Sequence, residues 1–424
     1  MGAFASRSYT LLPPIQALIV LAAFTYSLGY FLDYSCLVDG WQDPMRYMHL
    51  CYTDIPALYA ERGFTEGIVP YLQTGSNGAY LEYPVLTGMF MFVTSWLTHL
   101  VLGLYPDGFR AFFDVNVVLL FIPFAITVVA TALTFHAKPL NQSPWRASMI
   151  VFAPLVILGA TINWDLIPVA LVALALLAWS RERYTTTGVF LGLAIAAKFY
   201  PLVLLIGFVI LAARLRTWRP TVTMLVATGV TFLAVNIPFA VANFEGWFHF
   251  YTFNADRSID FGSIWYAINQ YGLPTIPESV LNLAATGLFA ALLIAIALFV
   301  YRTATPPTIY QVLFLVLAAF VITNKVYSPQ YVLWLIPLAV LARPNWRDFL
   351  IWQFGELIYF AGIWWFLAGY GIEDSRTLTP QWYATATFIH IGATLYFAIM
   401  VIRDIQTNSM ASNREVVNRT SVGT

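Results

Sequence analysis

The sequence predicts an all-α, polytopic integral membrane protein with about twelve transmembrane helices, within a range of ten to thirteen. Three observations predict it. Of 424 residues, 60% are hydrophobic and only 10% charged, where a soluble domain carries roughly 25% charge. Apolar runs near the roughly 20 residues that a spanning helix needs follow one another along almost the whole chain. Arginines recur between those runs, as the charge bias of membrane topology requires.

The first run, 11–32, follows Arg7 and lacks the short apolar core and small-residue cleavage site of a secretory signal, so it reads as a retained helix. A polar loop, 33–83, comes next. Further apolar runs lie at 84–104, 112–135, 147–180, 186–213, 220–237, 278–301, 308–323, 329–342, 348–370 and 381–402. The runs 147–180 and 186–213 exceed one perpendicular span. Each reads either as a tilted helix or as two helices broken near Pro154, Asn163 or Pro201. Arg214, Arg216 and Arg219, then Arg302, then Arg343 and Arg347, then Arg403 mark cytoplasmic turns. The segments 33–83, 238–277, 323–330 and 371–380 then fall on the extracytoplasmic face. Parity is met by one long crossing at 147–180 and a broken pair at 186–213. That choice leaves Lys138 and Arg146 outside, against the bias. Residues 1–406 read as one transmembrane domain, and the polar stretch 407–424 as a disordered cytoplasmic tail.

Chemistry concentrates in the loops. Thr53 to Arg62 reads as a short juxtamembrane helix: Thr53 or Asp54 can cap it, Pro56 suits the first turn and Gly63 the end. Ile55, Leu58 and Tyr59 give it an apolar face. Asp54 has two compatible roles, a helix cap or a rigidly held catalytic carboxylate. Cys36 and Cys51 share the same loop; a disulfide bridge there suits an oxidising face, and two unrelated thiols are the alternative. Glu82, in Tyr80-Leu81-Glu82-Tyr83-Pro84, is a second candidate acid or an ordinary interfacial residue.

Lys198-Phe199-Tyr200-Pro201 interrupts an apolar run. A lysine there costs on the order of 3 kcal/mol on insertion and is a functional candidate, and Tyr200 beside it suits a phosphate. Snorkelling at a short helix end is the competing account. Asn324 to Tyr331 forms a polar knot in which Lys325, Tyr327 and Gln330 exceed the needs of a turn. The 238–277 loop mixes aromatics with Asp256, Arg257 and amides, a composition suited to sugars as well as to an interfacial aromatic belt. Asp165, in Asn163-Trp164-Asp165, is another polar intrusion. The chain has no phosphate-binding glycine loop, paired-histidine zinc motif, serine nucleophile elbow or basic nucleic-acid patch, and its five histidines are scattered.

With these motifs in hand, the chain resembles the C-type membrane glycosyltransferases, and within them the glycosyltransferase family 87 group of actinobacterial envelope enzymes. The matching text is Cys51 to Tyr59 with Leu81-Glu82-Tyr83-Pro84, Asn163-Trp164-Asp165-Leu166, Lys198-Phe199-Tyr200-Pro201 and Asn324 to Tyr331, five motifs in order over about 11–403. The resemblance implies a sugar donor carried on polyprenyl phosphate, a glycolipid or polysaccharide acceptor, and transfer on the extracytoplasmic side of the cell membrane. It also implies that the first-loop acid, Asp54 here, is the general base. Single displacement inverts the anomeric carbon and needs one carboxylate on the attacking side. The departing phosphate needs cations, for which Lys198, Arg257 and Lys325 are the candidates. No cofactor or dedicated metal is expected. The sequence expectation is therefore an inverting, mannosyltransferase-like enzyme. A transporter or flippase of lipid-linked sugar is the alternative, since it would use Lys198 and Asp165 as pathway residues.

Overall fold

The computed structural model describes residues 11–75, 78–138, 140–271, 277–372 and 377–421, with backbone alone for 278–279 and 410–421. Every regular element among them is a helix. The principal helices are α1 (Leu12–Leu32), α2 (Asp54–Glu61), α3 (Val85–Val101), α4 (Gly108–His136), α5 (Leu166–Ser180), α6 (Tyr184–Ala197) and α7 (Pro201–Leu215). They continue with α8 (Trp218–Ala242), α9 (Phe244–Asp256), α10 (Glu278–Arg302), α11 (Ile309–Thr323), α12 (Val332–Ala342), α13 (Trp346–Leu367) and α14 (Pro380–Ser421). Seven of the described helices are long and apolar enough to cross a membrane, and five shorter apolar ones accompany them. The chain is a multi-pass membrane protein.

The helices start where the side chains supply caps. Asp107 accepts from Arg110 N at 2.8 Å ahead of α4, and Thr308 with Gln311 forms a reciprocal capping box at α11. Both satisfy amides that would otherwise be orphaned.

The two ends of the bundle differ in chemistry. One end collects arginines: Arg214 donates to the Thr303 carbonyl at 2.8 Å, and Arg343 pairs with Asp348 at 2.8 Å and with Asp404. Arg146 donates to the Pro344 carbonyl at 3.3 Å, so it belongs to this end. The opposite end holds the segments 33–75, 78–83 and 243–271, the unwound turns of the short helices, and a cavity.

This geometry corrects the sequence parity. The run 147–180 is two passages. Three short pieces, Pro144–Ala147, Ser148–Val151 and Pro154–Gly159, climb from Arg146 to Thr161. The Thr161 hydroxyl donates to Asp33, just past α1, at 2.9 Å. Helix α5 then runs back. Pro154 lacks an amide hydrogen, so a continuous helix through it would lose a bond.

Helix α3, in contrast, does not traverse the bundle. Thr87 near its start donates to the Ala197 carbonyl at 2.6 Å, and Ser95 to the Phe64 carbonyl at 2.8 Å. Beyond its end Gly108 packs on Tyr59, and Asp114 accepts from Tyr30, near the end of α1, at 3.0 Å. All of these contacts lie at the cavity end. Helix α3 therefore lies along that end with Trp96 and Leu100 exposed on it and Leu104 exposed just past it, as an interfacial helix does. The described residues still make twelve passages, with two assignments exchanged, and Lys138 and Arg146 return to the arginine end.

The broken pair at 186–213 is present as α6 and α7, separated by Lys198-Phe199-Tyr200. The short helices rise about 1.5 Å per residue, so those of 14 or 15 residues fall short of a bilayer core of roughly 30 Å. Their missing length is the irregular backbone at Ile162–Asp165, Lys198–Tyr200 and Asn324–Ser328, which is tolerable at membrane depth only against protein or a wet cavity. The juxtamembrane helix forms as α2, with Thr53 as its cap. The Cys36–Cys51 disulfide is present. Helix α14 continues to Ser421, through the stretch read as a disordered tail. The polar residues there include neither Gly nor Pro before Ser421, so nothing breaks a helix already nucleated. Residues 422–424 of that tail lie outside the described residues.

Candidate active site

A cavity of about 770 Å³ opens at the end opposite the arginines. Asp54 lines it. The acid reaches it because α2 is fastened at its start. Thr53 Oγ1 donates to the Thr161 carbonyl at 2.7 Å and accepts from Ile55 N at 3.2 Å. Asp54 N donates to the Ile162 carbonyl at 2.8 Å. With Thr53 as the cap, the Asp54 carboxylate is free for other partners. Tyr52 OH donates to Oδ1 at 2.7 Å and Asn163 Nδ2 to Oδ2 at 3.4 Å. Burial pushes the Asp54 carboxyl above its ordinary value, and the Tyr52 hydrogen bond and the Lys198 charge partly offset that rise. An elevated carboxyl is a stronger base than a solvated one, as proton abstraction at neutral pH requires.

Lys198, Arg257 and Lys325 line the same cavity, but they differ in charge balance. Lys198 Nζ lies 3.2 Å from Asp165 Oδ1. Fully buried Asp165 is held in turn by Trp334 Nε1 at 2.7 Å, so of the Asn163-Trp164-Asp165 motif Asn163 lines the cavity while Trp164 and Asp165 lie behind its wall. Arg257 pairs with Asp260. Lys325 Nζ donates to the Arg257 carbonyl at 2.6 Å. Among the described residues no carboxylate stands within ion-pair distance of Lys325, which leaves its charge open to a ligand.

Tyr200, Gln330 and Glu82 also line the cavity. Tyr200 stacks on Trp334 with centroids 4.3 Å apart, and its buried hydroxyl has no hydrogen-bond partner. Glu82 is clamped by Arg62 through two bonds of 2.6 Å, Nε to Oε2 and Nη2 to Oε1. Its charge is thereby neutralised, and it braces α2 against the start of α3.

Two predicted residues do not reach the cavity. Asp256 is the last residue of α9 and is exposed, facing away from the lining; Asp260, four positions on, lines it instead. Tyr327 is buried among Glu356, Thr394 and His390, with its hydroxyl 3.1 Å from Thr394 Oγ1. Its neighbours Val326 and Ser328 line the cavity while Tyr327 points behind it. Trp334 and Trp364 also line the cavity, although each sits in an apolar run where it reads as ordinary helix core. The indole Nε1 of Trp364 is buried without a partner. Among the described residues no group of three or more His, Cys, Asp or Glu side chains could hold a metal ion.

No curated protein matches the sequence. Solved structures similar to the chain include two of ArnT. The crystal structure of ArnT from Cupriavidus metallidurans bound to undecaprenyl phosphate shares 12% identity, covering 95% of this chain and 79% of that one with a TM-score of 0.46. ArnT in the apo state shares 14%, covering 83% and 72% with a TM-score of 0.39. The sequence model of glycosyltransferase family 87 matches residues 80–323, more than half of the chain. That stretch contains Glu82, Lys198, Tyr200 and Arg257, while Asp54 and the Asn324–Tyr331 knot flank it. The chain belongs to glycosyltransferase family 87.

Proposed function

We propose that this glycosyltransferase inverts the anomeric carbon of a sugar, mannose in our reading, as it moves it from polyprenyl phosphate to an envelope glycolipid or polysaccharide. Asp54 is the general base. The observation that carries the reading is that Asp54 and the uncompensated Lys325 line one cavity. Asp54 Oδ takes the proton of the acceptor hydroxyl as that oxygen bonds to the anomeric carbon. The bond from that carbon to the phosphate oxygen breaks, and its electron pair leaves on polyprenyl phosphate. Lys325 meets the charge that develops there, supported by the already paired Lys198 and Arg257. The unpartnered Tyr200 hydroxyl supplies a hydrogen bond to the sugar or phosphate. No metal is needed, because phosphate is a competent leaving group beside such cations.

An apolar groove of about 500 Å³ shares Phe199, Leu202 and Tyr251 with the cavity, which suits an isoprenoid chain whose phosphate lies among the cations. The arginine end belongs in the cytoplasm by the charge bias, which assigns the cavity to the extracytoplasmic face. The choice of mannose rests on the sequence resemblance alone.

The test is sugar transfer by purified protein from radiolabelled polyprenyl phosphomannose to extracted envelope acceptors, without an ion gradient. Asp54→Asn, which keeps the size and folding of the site, lowers the rate by roughly 10²–10⁴-fold. Undiminished transfer in that variant overturns the mechanism. Transfer from another polyprenyl-linked sugar but not from mannose corrects the donor alone.

A further inference from the structure

Behind the cavity wall lies a polar cluster with no solvent around it. Glu356 of α13 and His390 of α14 are 2% and 0% exposed. Glu356 Oε1 accepts from Thr394 Oγ1 at 2.8 Å and Trp352 Nε1 at 3.0 Å, with Tyr327 OH at 3.4 Å. Its Oε2 faces His390 Nδ1 at 2.9 Å. The other ring nitrogen, Nε2, faces the Gly262 carbonyl at 3.2 Å. The imidazole is stacked on Tyr359, centroids 4.1 Å apart, and lies against Tyr327 at 4.2 Å.

Both ring nitrogens therefore face acceptors. A neutral imidazole beside a carboxylate would set a lone pair against one of them. Making both contacts hydrogen bonds takes two protons on the pair, either as imidazolium with carboxylate or as imidazole with carboxylic acid. Both forms are neutral overall, which is what a membrane-embedded site demands.

What the pair grips is the cation-bearing wall. Gly262 has φ +79° and packs so tightly that a Cβ would collide with the Tyr327 carbonyl and the Tyr359 hydroxyl. Gly262 N donates to Tyr383 OH at 2.7 Å. Two positions earlier, Asp260 N donates to the Lys325 carbonyl at 3.0 Å, and Lys325 Nζ returns to the Arg257 carbonyl at 2.6 Å. The segment 257–263 and the knot 324–328 are thus stitched together, and the buried pair holds both, the first through Gly262 and the second through Tyr327.

We propose that Glu356 and His390 are positioning residues, a buried proton-sharing clamp that sets Arg257 and Lys325 at the cavity for a lipid phosphate. The phosphate part of this role rests on the function proposed above. Two readouts on full-length protein in detergent separate the claims: amide hydrogen exchange, and binding of undecaprenyl phosphate. His390→Ala and Glu356→Ala raise exchange at 257–263 and 324–328 by at least tenfold and weaken lipid-phosphate binding by at least tenfold. Glu356→Gln keeps both within about twofold of wild type. Its amide oxygen accepts from Thr394 and Trp352, its NH2 donates to Nδ1, and a neutral imidazole then donates from Nε2 to Gly262.

Thr394→Val removes one donor to Glu356 and gives smaller changes at the same sites, which serves if the alanine variants do not fold. Unchanged exchange and binding in the folded alanine variants overturn the clamp. A Glu356→Gln variant as damaged as Glu356→Ala overturns the proton count. Wild-type protein that ignores undecaprenyl phosphate overturns the lipid-phosphate reading, while the exchange measurement still decides the clamp.

Discussion

At the scale of single residues, the site depends on which of two neighbours caps a helix. Thr53 accepts the amide bond at the start of α2, so Asp54 keeps its carboxylate for the cavity. The sequence leaves that choice open, because Ser, Thr and Asp are all good caps. Burial raises the Asp54 carboxyl, and the general base proposed there works only when deprotonated. Activity therefore falls as pH is lowered through that raised value, and the acid limb of kcat/KM lies above the ordinary carboxylate value of about 3.9. Tyr52→Phe removes a hydrogen bond that lowers the carboxyl, so the acid limb moves to higher pH still. The stack of residue 52 on Trp364, at 4.6 Å, is kept in that variant. A hydrogen bond to a charged group contributes about 1.5–3 kcal/mol, so the limb moves by roughly one to two pH units. A limb that stays in place in Tyr52→Phe means that another group limits the rate. Other residues were less legible. Lys198 stands out as a charge in apolar text, and Asp54 and Lys325 as charges in polar loops between spans. Tyr327 misleads because a polar knot does not reveal which of its side chains turn inward.

At the scale of elements, the first loop is a small scaffold whose task is to present α2. Its Cys36–Cys51 bridge spans 15 positions. Closing a loop of about 15 residues contributes about 3 kcal/mol in the chain-entropy account. Replacing both cysteines by serine is expected to lower stability by up to that amount and to cut transfer, because the bridge ends three residues before Asp54. Thermal unfolding of the variant beside wild type, each with and without reductant, reads it: reductant should affect only wild type. Helix α3 shows how composition misleads. Val85–Leu104 has spanning hydropathy, yet Thr87, Ser95 and His99 bond to groups of the cavity end along the helix. Hydropathy measures the cost of leaving water and is nearly the same for a helix across the bilayer and one lying in its face.

At the scale of the whole molecule, the corrected passages make a prediction that the sequence parity opposed. Residues 140–146 lie at the arginine end, beside Pro344. Single cysteines at Gln142, Thr217 and Asn345, in a background lacking Cys36 and Cys51, are expected to label from the same side of the membrane. A cysteine at Asp256 labels from the other. Labelling of position 142 together with position 256 would restore the single long crossing of 147–180.

The sequence by itself determined the membrane class, the number of passages, the family resemblance, the helix that carries Asp54 and the break at Lys198. Each follows from local properties: the cost of placing polar groups in hydrocarbon, capping chemistry, and proline's missing amide hydrogen. Only the tertiary structure decided which passages those are, and that Lys325 alone among the three predicted cations lacks an acidic partner among the described residues. It alone revealed the Glu356–His390 clamp, whose partners on Gly262 and Tyr327 lie 128 and 29 positions from them. Charge balance and hydrogen-bond satisfaction are set between segments distant in sequence, so they exist only once the helices have packed.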